Sequence, residues 1–147
     1  MLNVFLTGPA GSGKTYLLNR FIQHLRQNRI PVAKTASTGI AATHMNGMTI
    51  HSWSGMGINN YMDEKQIKKL KSFRKMQRRF EKTEVLIIDE VSMLHDYQLD
   101  LLNKICKAFK DPFLPFGGLQ VVLSGDFFQL PPVSRDDESA RFIIQSE

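Results

Sequence analysis

Gly8-Pro9-Ala10-Gly11-Ser12-Gly13-Lys14-Thr15 fits the pattern G-x-x-x-x-G-K-[ST], a spacing suited to gripping a polyphosphate. The phosphates of a nucleotide carry several negative charges. A tight loop can aim successive backbone N–H groups at them only where side chains stay clear, hence the glycines. A helix starting at the end of the loop adds the positive end of its dipole. Lys14 is then placed to reach the β and γ phosphates of a nucleotide as a point charge, and the Thr15 hydroxyl to ligate Mg²⁺. The plain alternative is a glycine turn before a helix. An apolar run directly before the loop and a helical pattern directly after it favour the phosphate reading.

Asp89 and Glu90 close the apolar run in "VLIIDEVSML". Such a run reads as a buried strand, and open parallel sheets bind ligands at the carboxyl ends of their strands. An aspartate there suits Mg²⁺, and the adjacent glutamate suits the polarising of a water. Acid pairs also occur on ordinary surfaces, but a phosphate loop on the same sheet edge favours the catalytic reading. An activated water points to hydrolysis rather than transfer to a small bound acceptor. A third strand end, "LSGDFFQLPPV", supplies Gln129, whose amide can hydrogen-bond a γ-phosphate and register its loss. Pro131 and Pro132 stiffen the exit from that loop.

These side chains need a scaffold that brings distant segments to one edge. Val4 to Thr7 reads as a strand, and Lys14 to about Gln27 as a helix. "IPVAKTAS" is a strand, and Thr38 to His44 a short helix entered through a Ser/Thr cap. "NGMTIHSWSGMGINN" reads as irregular. Residues 64–81 read as one helix, with Ile67, Leu70, Phe73, Met76 and Phe80 sharing a face. "EVLIID" and "LQVVLSGD" are strands, and His95 to Lys110 is an amphipathic helix. Strands alternate with helices, and the strands are unbroken apolar runs. This predicts an α/β P-loop NTPase fold, with a central, mostly parallel sheet covered by helices on both faces.

The 147 residues suit one domain, and at that size about 70% of the extended surface is buried on folding. No apolar stretch approaches the ~18 residues of a membrane span, and the N-terminal run lacks the basic leader of a signal peptide. The one cysteine, Cys106, lies beside Leu102, Ile105 and Phe109 at helical spacing, which predicts a buried structural thiol. Net charge is +5, yet residues 65–82 hold nine of the 19 basic residues and one of the 14 acidic ones. The remainder, ten basic against thirteen acidic, is slightly negative. A solvated face on an amphipathic helix explains the basic stretch best, with nucleic-acid binding as the alternative.

In order, "GPAGSGKT", "TASTGIAA", "IIDEVSML" and "SGDFFQLPPV", with "GMTIHSWSGMG" between the second and third, closely resemble the superfamily 1B DNA helicases of the PIF (petite integration frequency) type, relatives of the RecD helicases. The resemblance runs over nearly the whole chain. "GDFFQLPPV" and "TIHSWSGMG" are far more specific to that family than the phosphate loop is. It implies ATP-driven 5′-to-3′ translocation on single-stranded DNA by two RecA-like domains, and unwinding of duplexes, forks and G-quadruplexes. Position by position, it gives Lys14 and Thr15 to ATP and magnesium, Asp89 to magnesium, Glu90 to catalysis and Gln129 to γ-phosphate sensing. Ser37, Thr38, Gly39 and Ile40 resemble a first DNA-contacting motif, whose small residues and hydroxyls suit backbone phosphates. His51 and Ser52 resemble a second strand-contacting motif, against which stands a loop-packing role for His51. Trp53 has two readings, a base-stacking platform and a core filler, of which the second is favoured.

The resemblance also sets expectations about extent. Family members carry a segment before the phosphate-loop strand, including a glutamine that recognises adenine, and here only Met1 and Leu2 precede it. The chain stops at "ARFIIQSE", before a second RecA-like domain and its arginine. Residues 1–147 are therefore expected to be a single N-terminal RecA-like domain, a fragment that binds Mg-ATP weakly and hydrolyses it slowly. The protein is expected to be monomeric and intracellular.

Overall fold

Val85, Leu86, Ile87 and Ile88 are each 3% exposed or less. The run that carries the acidic pair is thus covered on both faces, as its lack of alternation predicts. The computed structural model describes residues 3–8 and 13–126. Among these, five strands form one sheet: β1 (Val4–Thr7), β2 (Val32–Ala36), β3 (Met48–Thr49), β4 (Val85–Asp89) and β5 (Gln120–Gly125). Their order is β1-β5-β4-β2-β3, and every neighbouring pair is parallel. The helices are α1 (Lys14–Gln27), α2 (Gly39–His44), α3 (Ile50–Ser54), α4 (Glu64–Lys71), α5 (Arg74–Lys82) and α6 (Asp96–Phe109). This is the α/β P-loop architecture read from the sequence.

Successive residues of β4 face opposite layers. Val85 and Ile87 join Val122 against Leu18, Ile22 and Leu25 of α1. Leu86, Ile88 and Val121 join Trp53, Phe80, Leu102 and Ile105 on the other face. Each such side chain contributes about 1.5–3 kcal/mol by leaving water, so β4 is anchored twice over. The register then levels the functional ends. Thr7 lies opposite Gly125, Ile88 opposite Leu123, and Ala36 opposite Asp89. The loop after β1, the acids after β4 and the segment after β2 therefore leave the sheet on one edge.

Two expectations need correction. "NGMTIHSWSGMGINN" is not irregular throughout: Met48 and Thr49 pair with Thr35 and Ala36, and α3 follows. Thr49 caps α3 by accepting the N–H of Ser52, and Ile50 and Trp53 are buried one turn apart. Residues 64–81 are not one helix either, for the chain breaks at Ser72 and Phe73. Side chains spaced every three residues drift about 60° per step around a helix of 3.6 residues per turn. An unbroken helix would turn Met76 to the side opposite Ile67. With the break, Ile67, Leu70, Met76 and Phe80 all reach the core, and Phe73 is left 52% exposed. Ser72 Oγ and Gln77 Nε2 donate to the carbonyls of Lys69 and Lys71, which closes the end of α4.

Candidate nucleotide-binding site

Gly13 ends the phosphate loop with φ 91° and ψ 8°, a left-handed conformation that disfavours any side chain. It is the N-cap of α1. It brings no side chain to cap the helix, and the first turn of α1 holds no acid. The leading N–H groups of this 14-residue helix thus face outward beside Lys14 with no carboxylate among them. Across the sheet edge, β5 stands between β1 and β4. Loop and acids are therefore separated by two strand spacings, about 10 Å. Between them lies an open cleft of about 480 Å³, lined by Gly13, Lys14, Thr15, Asp89, Glu90 and Asp126 among others.

The acidic pair is held in a defined way. Asp89 Oδ1 accepts the N–H of Glu90 at 2.8 Å. Glu90 itself has φ 51° and ψ 44°, a left-handed conformation costing a non-glycine residue about 1–2 kcal/mol. Three bonds from the segment after β2 offset that strain. Ser37 N donates to Asp89 O at 3.1 Å. Ser37 Oγ donates to Glu90 O at 2.6 Å, and Thr38 Oγ1 donates to Glu90 Oε2 at 3.2 Å. Backbone strain maintained by its surroundings is a mark of functional sites.

The donor set fits Mg-ATP. An uncapped helix start and a lysine suit phosphate. The Thr15 hydroxyl and the Asp89 carboxylate are hard oxygen donors, as Mg²⁺ prefers. Among the described residues, no three His, Cys, Asp or Glu side chains converge as a metal cage. Mg²⁺ needs no such cage, because it keeps several waters and takes one or two carboxylates.

A family model described as PIF1-like helicase matches residues 2–146. The chain belongs to the PIF1-like helicase family. Over 139 residues it is 59% identical to the ATP-dependent DNA helicase Pif1 of Psychrobacter sp., covering 95% of this chain and 21% of that protein. The crystal structure of Pif1 helicase from Candida albicans superposes with a TM-score of 0.89 at 44% identity, over 99% of this chain and 33% of that one. The Bacteroides Pif1 helicase in complex with ADP-AlF3 and ssDNA gives 0.76 at 32% identity, over 98% and 34%. The chain thus spans about a fifth of that curated relative and about a third of those solved chains.

Within this PIF1-like chain, the expected site residues divide into groups. Gly13, Lys14, Thr15, Asp89 and Glu90 converge on the cleft, and Gly8 follows directly on β1. Pro9, Ala10, Gly11, Ser12 and Gln129 lie outside the described residues. Ser37 and Thr38 sit against Glu90, and Gly39 and Ile40 open α2, with Ile40 75% exposed. His51 and Ser52 lie on α3 and do not line the cleft. The His51 ring is half-buried and meets Gln98 Nε2 at 3.2 Å, and Ser52 is exposed. Trp53 is core, 4% exposed with its ring centroid 4.7 Å from that of Phe80. Sequence reasoning missed Asp126, a buried third carboxylate of the cleft at the end of β5. "LSGD", an acid closing an apolar run as in "LIID", was its signal. It also missed the bond from Thr38 to Glu90, which joins two motifs treated as separate.

Proposed function

We propose that residues 1–147 are the first RecA-like motor domain of an ATP-dependent DNA helicase, moving 5′ to 3′ along single-stranded DNA when joined to a second such domain. One observation carries the reading. Lys14 and Thr15 from one end of the chain and Asp89 and Glu90 from its middle line a single cleft at the carboxyl edge of a parallel sheet. The names of the similar proteins support it, as does the nucleotide analogue with ssDNA in the Bacteroides relative.

Bound Mg-ATP supplies the scissile phosphoryl group and a cation that offsets the charge on its oxygens. The chain's own groups do the rest. Lys14 and the first N–H groups of α1 neutralise and orient the phosphates, while Thr15 and Asp89 hold the metal. Glu90 takes a proton from the attacking water through its carboxylate, and Gln129 contacts the γ-phosphate. Ser37, Thr38, Gly39 and Ile40, with His51 and Ser52, contact the strand without reading its sequence. Forks and G-quadruplexes are the proposed substrates of the whole protein, working as an intracellular monomer. No helix among the described residues is long and apolar enough to cross a membrane.

A DNA-stimulated ATPase assay on the 147-residue chain tests this. Lys14→Ala should abolish nucleotide binding. Glu90→Gln should retain it and lower turnover by about 10²–10⁴, the usual worth of a general base. Binding without any stimulated turnover in the wild-type chain would reduce it to a nucleotide- and DNA-binding module.

A further inference from the structure

We propose that Thr38 is a positioning residue that restrains Glu90 until a strand phosphate claims its hydroxyl, so that one proton links strand occupancy to hydrolysis. The inference deepens the reading above and rests on it.

The geometry is specific. A threonine hydroxyl has one proton to give and two lone pairs to accept with. Thr38 Oγ1 gives its proton to Glu90 Oε2 at 3.2 Å and accepts the N–H of Ala41 at 3.2 Å, capping α2. Ser37 fixes only the backbone of Glu90, through its carbonyl. Among the described residues, the bond from Thr38 is the one hydrogen bond received by the Glu90 carboxylate. It is long for an O–H···O contact, whose usual length is about 2.7–2.8 Å. A weak single tether is easily exchanged.

Its effect on chemistry follows from position, because a general base must lie within hydrogen-bond reach of the water it deprotonates. The bond ties Oε2 to the segment after β2, so the carboxylate does not turn freely toward a water in the cleft. A phosphate oxygen in contact with Ser37 and Thr38 is a competing acceptor for the same proton. Once Thr38 turns to it, the Glu90 carboxylate, which already lines the cleft, is free to reorient toward a water there. Register sets the two residues side by side, because Ala36 lies opposite Asp89 in the parallel β2–β4 pair.

The test uses DNA-free and DNA-saturated ATPase rates of the same chain. Thr38→Val removes the donor. It should raise the DNA-free kcat about tenfold, the worth of one hydrogen bond to a charged group, and leave KM for ATP within about twofold. The stimulation ratio should shrink by the same factor. Thr38→Ser keeps the hydroxyl and should restore the wild-type ratio. Thr38→Asp guards against a lost cap, since its carboxylate still accepts from Ala41 but cannot donate to Glu90, and its DNA-free kcat should also rise. In a Glu90→Gln background neither substitution should raise turnover. A DNA-free kcat that stays level or falls in both Thr38→Val and Thr38→Asp, with wild-type stimulation intact, overturns this inference alone. A wild-type chain without stimulated turnover removes the motor reading and this inference with it.

Discussion

A single amide fixes the state of His51. Gln98 uses its Oε1 to accept the N–H of His95 at 2.8 Å, which leaves its NH2 group facing His51 Nε2. That ring nitrogen must then accept, so the imidazole is neutral with its proton on Nδ1. Burial acts the same way and lowers the pKa of His51 below its ordinary value. The sign for stability follows. As pH falls, the unfolded chain takes up the proton first, near pH ~6.5. The fold is at full strength above that point and loses stability as pH drops through the lowered folded value. Thermal unfolding between about pH 5 and 8 should show a falling Tm on the acid side that His51→Gln flattens. Parallel profiles for the two proteins would show that His51 is not held neutral. A neutral imidazole brings no charge to a DNA phosphate, so any strand contact it makes should add little to the salt dependence of binding.

Elements differ in how plainly the sequence announces them. β4, β5 and α1 were legible because a buried strand or amphipathic helix needs an apolar pattern that nothing else explains. The candidate residues stand at the ends of those same patterns: Lys14 and Thr15 open α1, Asp89 closes β4 and Glu90 follows it. Asp126 and the Thr38–Glu90 bond were harder, because they depend on β5 lying between β1 and β4, and on β2 lying beside β4. No local stretch encodes that order. The break between α4 and α5 was hidden by a spacing that looks helical residue by residue and fails only over about two and a half turns. The two helices also carry like charges at helical neighbours, and α5 has no acid in its first turn. Lys75, in that first turn, is exposed and faces Arg78 and Arg79 at i+3 and i+4. Lys75→Glu should turn this repulsion into attraction and complement the helix dipole, adding about 0.5–1 kcal/mol. Chemical denaturation at low salt would measure it, and the gain should fade as salt rises. No gain at low salt would mean that the basic face carries no significant repulsion.

At the scale of the whole molecule, the layer beneath α3 to α6 has two built-in reporters. The chain has one tryptophan and one cysteine, and Trp53 and Cys106 lie in the same core cluster. Phe80 connects this region, with its ring tilted on Trp53 and stacked 4.3 Å from that of Phe109. Cys106 is fully buried, and desolvation pushes its thiol up to about 12, with Lys110 pulling slightly the other way. A buried, protonated thiol is unreactive. Thiol-specific reagents should therefore modify Cys106 only through molecules that have opened. If the layer unfolds as one cooperative unit, thiol exposure and the change in Trp53 fluorescence will share a single midpoint in urea. Cys106 reacting at lower urea than the fluorescence change would instead mean that α6 opens locally from the sheet. Alkali adds a second check. The unfolded thiol ionises near pH ~8.5, so stability from this group is complete below that value and is lost as pH rises toward the folded value. Cys106→Ala should weaken that alkaline loss, at the expense of a small cavity beside Ile105 and Leu102.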